Sequence, residues 1–209
     1  MGFGAGTLIS AASYELVAKS LSTSERSGGA VFGYFSGVSV FFLADRAIAR
    51  SGARRATGSL VRSGPALGIA LGAFLDGVPE SAVLGLSLIE DGRISVAMLV
   101  AVFLSNLPES MAASTELRAS GWPQSRLYGL WTAITLASAL SAALGYATLS
   151  DASPGAVAFV LAFAAGAIIT MLSTAMIPEA FENAGRAAGL ATTVGFALSV
   201  AVGLLADRP

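Results

Sequence analysis

Two glutamates that follow a proline stand in the middle of apolar stretches of this chain. Residues 76–81 read Asp-Gly-Val-Pro-Glu-Ser and residues 105–110 read Ser-Asn-Leu-Pro-Glu-Ser, so that Glu80 and Glu109 lie 29 residues apart. A carboxylate at bilayer depth costs roughly 2.5–3.5 kcal/mol on insertion scales, so one that persists there needs a partner or a task. Two copies of this energetically costly Pro-Glu pattern suggest a shared function.

The spacing of the oxygen-bearing residues around each glutamate predicts one polar face per helix. Asp76 and Glu80 are four residues apart, as are Ser105 and Glu109, and Asn106 precedes Glu109 by three residues. Residues three or four apart are neighbours on a helix surface. We expect the two faces to meet near the middle of a membrane.

Both prolines add a further oxygen to this predicted site, because each removes one helical hydrogen bond and frees a backbone carbonyl. Crowded carboxylates repel one another unless a cation or protons neutralise them. Carboxylate, amide and carbonyl oxygens suit Mn²⁺, Fe²⁺ or Ca²⁺ and are less ideal for Zn²⁺. The predicted ligands are Asp76, Glu80 and Glu109, with Asn106 and Ser105 in support. The alternative is that these acids only form hydrogen bonds with neighbouring helices.

The elements that position these residues are predicted to be membrane helices. The chain is 55% hydrophobic and 12% charged, against about 25% charged residues in an average soluble domain. Apolar runs of about 17–25 residues span a bilayer. The sequence therefore predicts an all-α, polytopic bundle forming a single domain over 1–209. The seven predicted spans are 3–20, 29–49, 65–89, 94–116, 127–149, 155–181 and 188–206.

The residue types that are missing limit the chemistry. The chain contains neither cysteine nor histidine, so any ion must be met by oxygen atoms. An intramembrane enzyme is not expected, because only a carboxylate pair could act and no substrate is implied. No cofactor is expected, the bilayer is the expected surrounding, and the net charge of −1 gives no indication of nucleic acid.

The basic residues predict the orientation. Of the 12, eight fall in alternate connections on one side, five of them between positions 46 and 62, and four fall on the other side. Under the positive-inside rule the 46–63 loop and the N-terminus are cytoplasmic and the C-terminus lies outside.

Internal similarity predicts an inverted repeat. Residues 5–10 read Ala-Gly-Thr-Leu-Ile-Ser and residues 165–170 read Ala-Gly-Ala-Ile-Ile-Thr, in spans predicted to cross the membrane in opposite senses. Inverted repeats are typical of transporters that bind their substrate near the midplane. Chance similarity between two alanine-rich spans is the alternative.

Further acids lie outside the two motifs. Glu116, Glu179 and Glu182 are predicted on the cytoplasmic side, where they are either a candidate exit path for the ion or ordinary surface acids. Glu15 lies inside the first span with Lys19 four residues later. A local ion pair and a functional role are both open for it.

The two motifs, with the segments 3–16 and 176–180, resemble the ZIP family of divalent-metal permeases, particularly its bacterial branch. In that family the fourth and fifth of eight helices carry His-Asn-x-Pro-Glu-Gly and a similar second motif. The resemblance covers nearly the whole chain and implies a permease for zinc, iron or manganese in the inner (plasma) membrane. A homodimer is compatible with it.

The resemblance implies metal ligands at Glu80, Asn106 and Glu109, and places Asp76 at the family's histidine position. Gly77 replaces an asparagine and Ser105 a frequent histidine or glutamine. The sixth family helix corresponds to 127–149, which lacks the usual glutamate, so one metal site is expected rather than two. The family's first helix has no counterpart before Met1, which predicts either a truncated or late start or a seven-span variant.

The leading hypothesis is therefore a permease that carries a divalent cation into the cytoplasm by an elevator-like or rocking motion of the 65–116 hairpin. A different hypothesis is a non-transporting protein that senses metal or scaffolds partners on a degenerate permease fold. A permease for another solute or for protons alone is a third. The identity of the metal stays open between the hard oxygen ligands and the family's zinc or iron.

Overall fold

A computed structural model describes residues 1–23, 27–50, 74, 77, 80–89 and 92–206. These residues are mainly helical, and no strand occurs among them. The prediction of an all-helical protein is confirmed. Most of the 46–63 loop, the first part of the predicted span 65–89, Asp76 and Pro79 lie outside the described residues.

Six described helices begin and end within three residues of a predicted span, whereas the third predicted span, 65–89, is described as a continuous helix only over Glu80–Ile89. We number them α1 to α7 in chain order. They are α1 (2–23), α2 (Ser27–Arg50), α3 (Glu80–Ile89), α4 (Val96–Ala119), α5 (Gln124–Leu149), α6 (Pro154–Ala184) and α7 (Arg186–Ala206).

Five of these helices, α2 and α4 to α7, are long and apolar enough to cross a membrane. Helix α1 carries Glu15 and Lys19, and only ten residues of α3 are described. Large apolar side chains such as Phe32 and Leu190 are exposed along the outer faces. Outward-facing apolar side chains in long apolar helices are the features of an integral membrane protein.

Two helices contain a π-helical segment, which inserts an extra residue into a turn and is frequent at functional sites. Helix α1 consists of Gly2–Ala11, the π segment Ala12–Ala18 and Lys19–Thr23. Helix α6 has its π segment at Leu172–Met176, just before Pro178. Each π segment begins two residues after the end of one of the two similar hexapeptides, 5–10 and 165–170.

The core is built on two parallel helix pairs, α1 with α7 and α2 with α6. Gly2 contacts Ala188 and Gly6 contacts Thr192, while Gly33 contacts Phe159 and Gly37 contacts Phe163. In each pair the contact advances four residues along both helices, so the paired helices run in the same direction. Small residues at such crossings let the backbones approach closely in lipid.

The two pairs share the same contact pattern. A Cβ atom on Gly6 would overlap the carbonyl oxygen of Thr192 and lie 2.8 Å from the nitrogen of Phe196. A Cβ atom on Gly166 would overlap the carbonyl oxygen of Tyr34 and lie 3.1 Å from the nitrogen of Val38. In both pairs the second contact lies four residues after the first.

The reciprocal glycines, one on each partner helix, obey the same pattern. Gly195, three residues after Thr192, meets the carbonyl of Phe3, and Gly37, three residues after Tyr34, meets that of Phe163. Phe3 and Phe163 are related by the same offset as Gly6 and Gly166. Helices α1 and α6 therefore use equivalent positions to bind α7 and α2.

The remaining helices pack beside this core. Gly85 of α3 meets the carbonyl of Ala142 on α5, and α4 packs against α1 and α7. The indole nitrogen of Trp131 on α5 donates to the hydroxyl of Ser114 on α4 at 2.9 Å. Helices α3 and α4 are consecutive and joined by a short turn, and α5 lies beside both.

Candidate functional site

Glu80 and Asn106 meet between α3 and α4. The amide nitrogen Nδ2 of Asn106 donates to Oε2 of Glu80 at 3.1 Å. The Glu80 side chain is only 1% exposed. The two Pro-Glu motifs thus come into direct contact through an amide and a carboxylate.

The second oxygen of this carboxylate has an unusual environment. Oε1 of Glu80 is buried and has no hydrogen-bond partner among the residues that the structure describes. A buried polar atom in that position is costly and calls for a ligand, an ion or a water. Glu80 therefore offers an oxygen with free coordination capacity.

Glu109 supplies a second carboxyl group on the α4 side of the site. It is half-buried on α4, close enough to Glu80 for the two carboxyl groups to influence each other electrostatically. Asn106 and Glu109 are three residues apart on α4, so they share one helix face. The described site thus holds two carboxylates and one amide, all hard oxygen donors suited to a divalent cation.

Helix α1 packs against the turn of α4 that precedes its proline. Pro108 lies inside α4, so the carbonyl of Leu104 has no N–H donor four residues later. A Cβ atom on Gly4 of α1 would lie 3.0 Å from this carbonyl oxygen and 2.6 Å from Cα of Ser105. Helix α1 therefore touches the backbone of α4 directly before Asn106 and fixes where the amide sits.

Ser105 lies on the α1 side of this helix. It is buried, and its hydroxyl donates to the carbonyl oxygen of Val102 at 2.9 Å, within its own helix. Serine hydroxyls often bond to a nearby carbonyl of the same helix in this way. The structure gives Ser105 a packing contact with Gly4, and its predicted role as a supporting ligand stays a prediction.

Other predicted ligands are described only in part. Asp76 lies outside the described residues, while Gly77, which is described, faces α5, where a Cβ atom would lie 3.3 Å from the hydroxyl of Ser138. In the part of the chain that the structure describes, no three acidic side chains come together as a metal-binding group.

The predicted exit-path acids lie at the surface. Glu116 on α4 and Glu179 and Glu182 on α6 are exposed. The backbone carbonyl of Glu179 accepts a hydrogen bond from the side chain of Asn183 at 2.9 Å. Their role as an exit path stays a prediction.

Glu15 lies away from this site, at the turn between α3 and α4. Lys19 is 3.5 Å from its Oε2, and the hydroxyl of Ser95 donates to the same oxygen at 2.9 Å. The ion pair with Lys19 was one of the two interpretations of the sequence. Ser95 was missed, although a serine directly before an apolar helix is a recognisable N-cap signal.

The fold and the site together define an all-helical membrane protein with a buried carboxylate held by an amide across two helices. In comparisons with known proteins, no family model and no curated sequence matches this chain.

Proposed function

We propose that this protein is a permease that carries a divalent metal cation into the cytoplasm through the site formed by Glu80, Asn106 and Glu109. The observation that carries the proposal is the buried Glu80 carboxylate. One of its oxygens is held by Asn106, and the other has no partner among the described residues. Intramembrane acids of this kind mark ion pathways. The resemblance to the ZIP family adds to this reading.

The chemistry of the site favours a cation that accepts oxygen ligands. A cation at Oε1 of Glu80 would be reached by Glu109 and, after rotation of its amide, by the carbonyl oxygen of Asn106. No bond is made or broken in transport, because the ion only exchanges water for protein oxygens. Mn²⁺, Fe²⁺ and Zn²⁺ are the candidate substrates, and Asp76 is a further proposed ligand.

We also propose that seven helices cross the membrane and that the chain contains an inverted repeat. The support is the shared contact pattern of Gly6 and Gly166, together with the π segments at matching offsets. Helices α6 and α7 are joined by the single residue Gly185, so two spans linked in this way cross in opposite senses. Since α1 runs parallel to α7, it is antiparallel to α6, as inversion requires.

The orientation is part of the same proposal. The N-terminus and the 46–63 loop are cytoplasmic, and the turn between α3 and α4 is outside. The contact between Glu15 and Ser95 supports this orientation, because it brings the second half of α1 next to the start of α4, and both are then on the outer side. The host membrane proposed is the bacterial inner membrane.

The test is metal flux into proteoliposomes by the Glu80→Gln variant. Glutamine keeps the size of the side chain and an oxygen that can accept from Asn106, but it removes the charge that holds a cation. We expect flux of Mn²⁺ and Zn²⁺ to fall at least tenfold. Asp151→Asn is the matched control, because Asp151 is an exposed acid in the turn before α6.

Three outcomes are informative. Loss of flux in Glu80→Gln but not in Asp151→Asn supports the proposal. Full flux in Glu80→Gln refutes the site. Metal binding by the wild-type protein with no flux under any gradient would favour the sensing or scaffolding hypothesis instead.

A further inference from the structure

Ser95, the N-cap residue of α4, joins three helices. Its backbone nitrogen donates to the hydroxyl of Ser87 on α3 at 3.1 Å, and its hydroxyl accepts from the nitrogen of Met98 at 3.2 Å. The same hydroxyl donates to Oε2 of Glu15 on α1 at 2.9 Å. A serine hydroxyl has one donor hydrogen, and here Glu15 receives it.

Glu15 is held in place for this contact by its own helix. It lies in the π segment Ala12–Ala18, and Lys19 on the following turn is 3.5 Å from the same carboxylate oxygen. The Glu15 and Lys19 side chains are 19% and 27% exposed, so the pair is only partly shielded from solvent. The carboxylate thus faces the turn of the hairpin that α3 and α4 form.

Small groups make two of the closest contacts between α1 and α4. Gly4 meets Ser105, and the hydroxyl of Thr7 approaches the carbonyl of Ala101 at 3.4 Å. The hydrogen bond between Ser95 and Glu15 is directional and weakens steeply with misalignment.

We propose that the contact between Ser95 and Glu15 is a conformational latch that holds the hairpin of α3 and α4 against α1. The latch lies eleven residues from Asn106, about 16 Å along α4. It must open whenever the hairpin moves past α1. This inference rests on the proposed transport function, because a moving hairpin is what would carry the site across the membrane.

The latch predicts a measurable shift between two conformations. Charge-assisted hydrogen bonds are about twice as strong as neutral ones, so Glu15→Gln changes the ratio of latched to open protein by roughly tenfold. Ser95→Asp keeps an oxygen that can cap Met98 but places a like charge against Glu15. Ser95→Thr keeps both the cap and the donor and should behave as the wild type.

The measurement is the distance between spin labels on cysteines introduced at exposed Leu21 and Ile94, in nanodiscs. The chain has no native cysteine, so the labels are unambiguous. Ser153→Ala is the matched control: Ser153 caps α6 by accepting from the nitrogen of Ala156 at 3.3 Å, so this variant loses a cap without touching the latch.

A second, longer distance population in Glu15→Gln and Ser95→Asp, absent from Ser95→Thr and Ser153→Ala, is the expected result. Identical distance distributions in all four variants overturn the latch. Flux of Mn²⁺ in proteoliposomes, measured on the same variants, separates the two proposals. A wild type without flux refutes transport, whereas the distances still decide whether the contact restrains the hairpin.

Discussion

The close approach of Gly4 to the backbone of α4 allows a quantitative prediction about the site. In Gly4→Ala the new Cβ atom would lie 2.6 Å from Cα of Ser105 and 3.0 Å from the carbonyl oxygen of Leu104. Both are backbone atoms, so neither can rotate away. Ordinary contacts of a Cβ atom begin near 3.4 Å, which means that α4 must withdraw from α1 by about 0.8 Å.

This displacement would move Asn106, which follows Ser105 in α4. The bond from Asn106 to Glu80 is 3.1 Å long, and a lengthening of that size takes it beyond hydrogen-bond distance. Over-packing costs about 1–3 kcal/mol, and replacing glycine by alanine in a helix returns about 0.5–1 kcal/mol. We expect Gly4→Ala to lower the free energy of unfolding by a net of about 0–2.5 kcal/mol, which is about 1–3 kcal/mol below a glycine-to-alanine change without a clash, and to reduce metal flux.

Gly129→Ala is the matched control. Gly129 lies within α5, and a Cβ atom there would meet nothing within 4 Å, so this variant gains the same helix propensity without a clash. Both variants are compared by thermal unfolding in the same detergent and by Mn²⁺ flux. If Gly4→Ala equals Gly129→Ala in both measurements, α1 does not fix the position of Asn106 and the reasoning is wrong.

Two further predictions concern the repeat and the site. Gly6→Ala and Gly166→Ala should destabilise the protein by similar amounts, about 1–3 kcal/mol each, because each new Cβ atom would overlap a carbonyl of the neighbouring helix. If the two free energies of unfolding, measured by thermal unfolding, fell by amounts differing by more than about 2 kcal/mol, the two contacts would not be equivalent. Asn106→Asp should replace the bond to Glu80 by repulsion, so that the metal-free protein melts at a lower temperature and Mn²⁺ raises that temperature more than in the wild type. An equal rise in both proteins would argue against a cation at this carboxylate.

The sequence predicted an all-helical protein because a membrane imposes a strong rule on the length of apolar runs. Apolar runs that must span about 30 Å need about 20 residues, and turn residues mark their ends. The contact between Glu80 and Asn106 followed a similar logic, since a short turn makes α3 and α4 antiparallel neighbours. Helical spacing then placed the polar residues of α4 on one face.

Other features depended on packing that no local pattern records. The π segments of α1 and α6 depend on how these helices pack against their neighbours. The residue types of Ala12–Ala18 do not predict a π segment. Ser105 has the spacing of a ligand, yet its hydroxyl bonds to Val102. Ser95 and Glu15 are 80 residues apart, so their contact is a property of the assembled bundle.

The pairing of α1 with α7 has a consequence for how this protein is made. The hydroxyl of Thr192 donates to the carbonyl of Gly2 across 190 residues of sequence, so in the proposed seven-span topology α1 enters the bilayer long before its principal partner has been synthesised. Until α4 has been synthesised, the one carboxylate of α1 can be paired only within its own helix, where Lys19 lies one turn from Glu15. The ion pair therefore neutralises the carboxylate of α1 until α4 arrives, and Ser95 of α4 then shares the same carboxylate before α7 has been made.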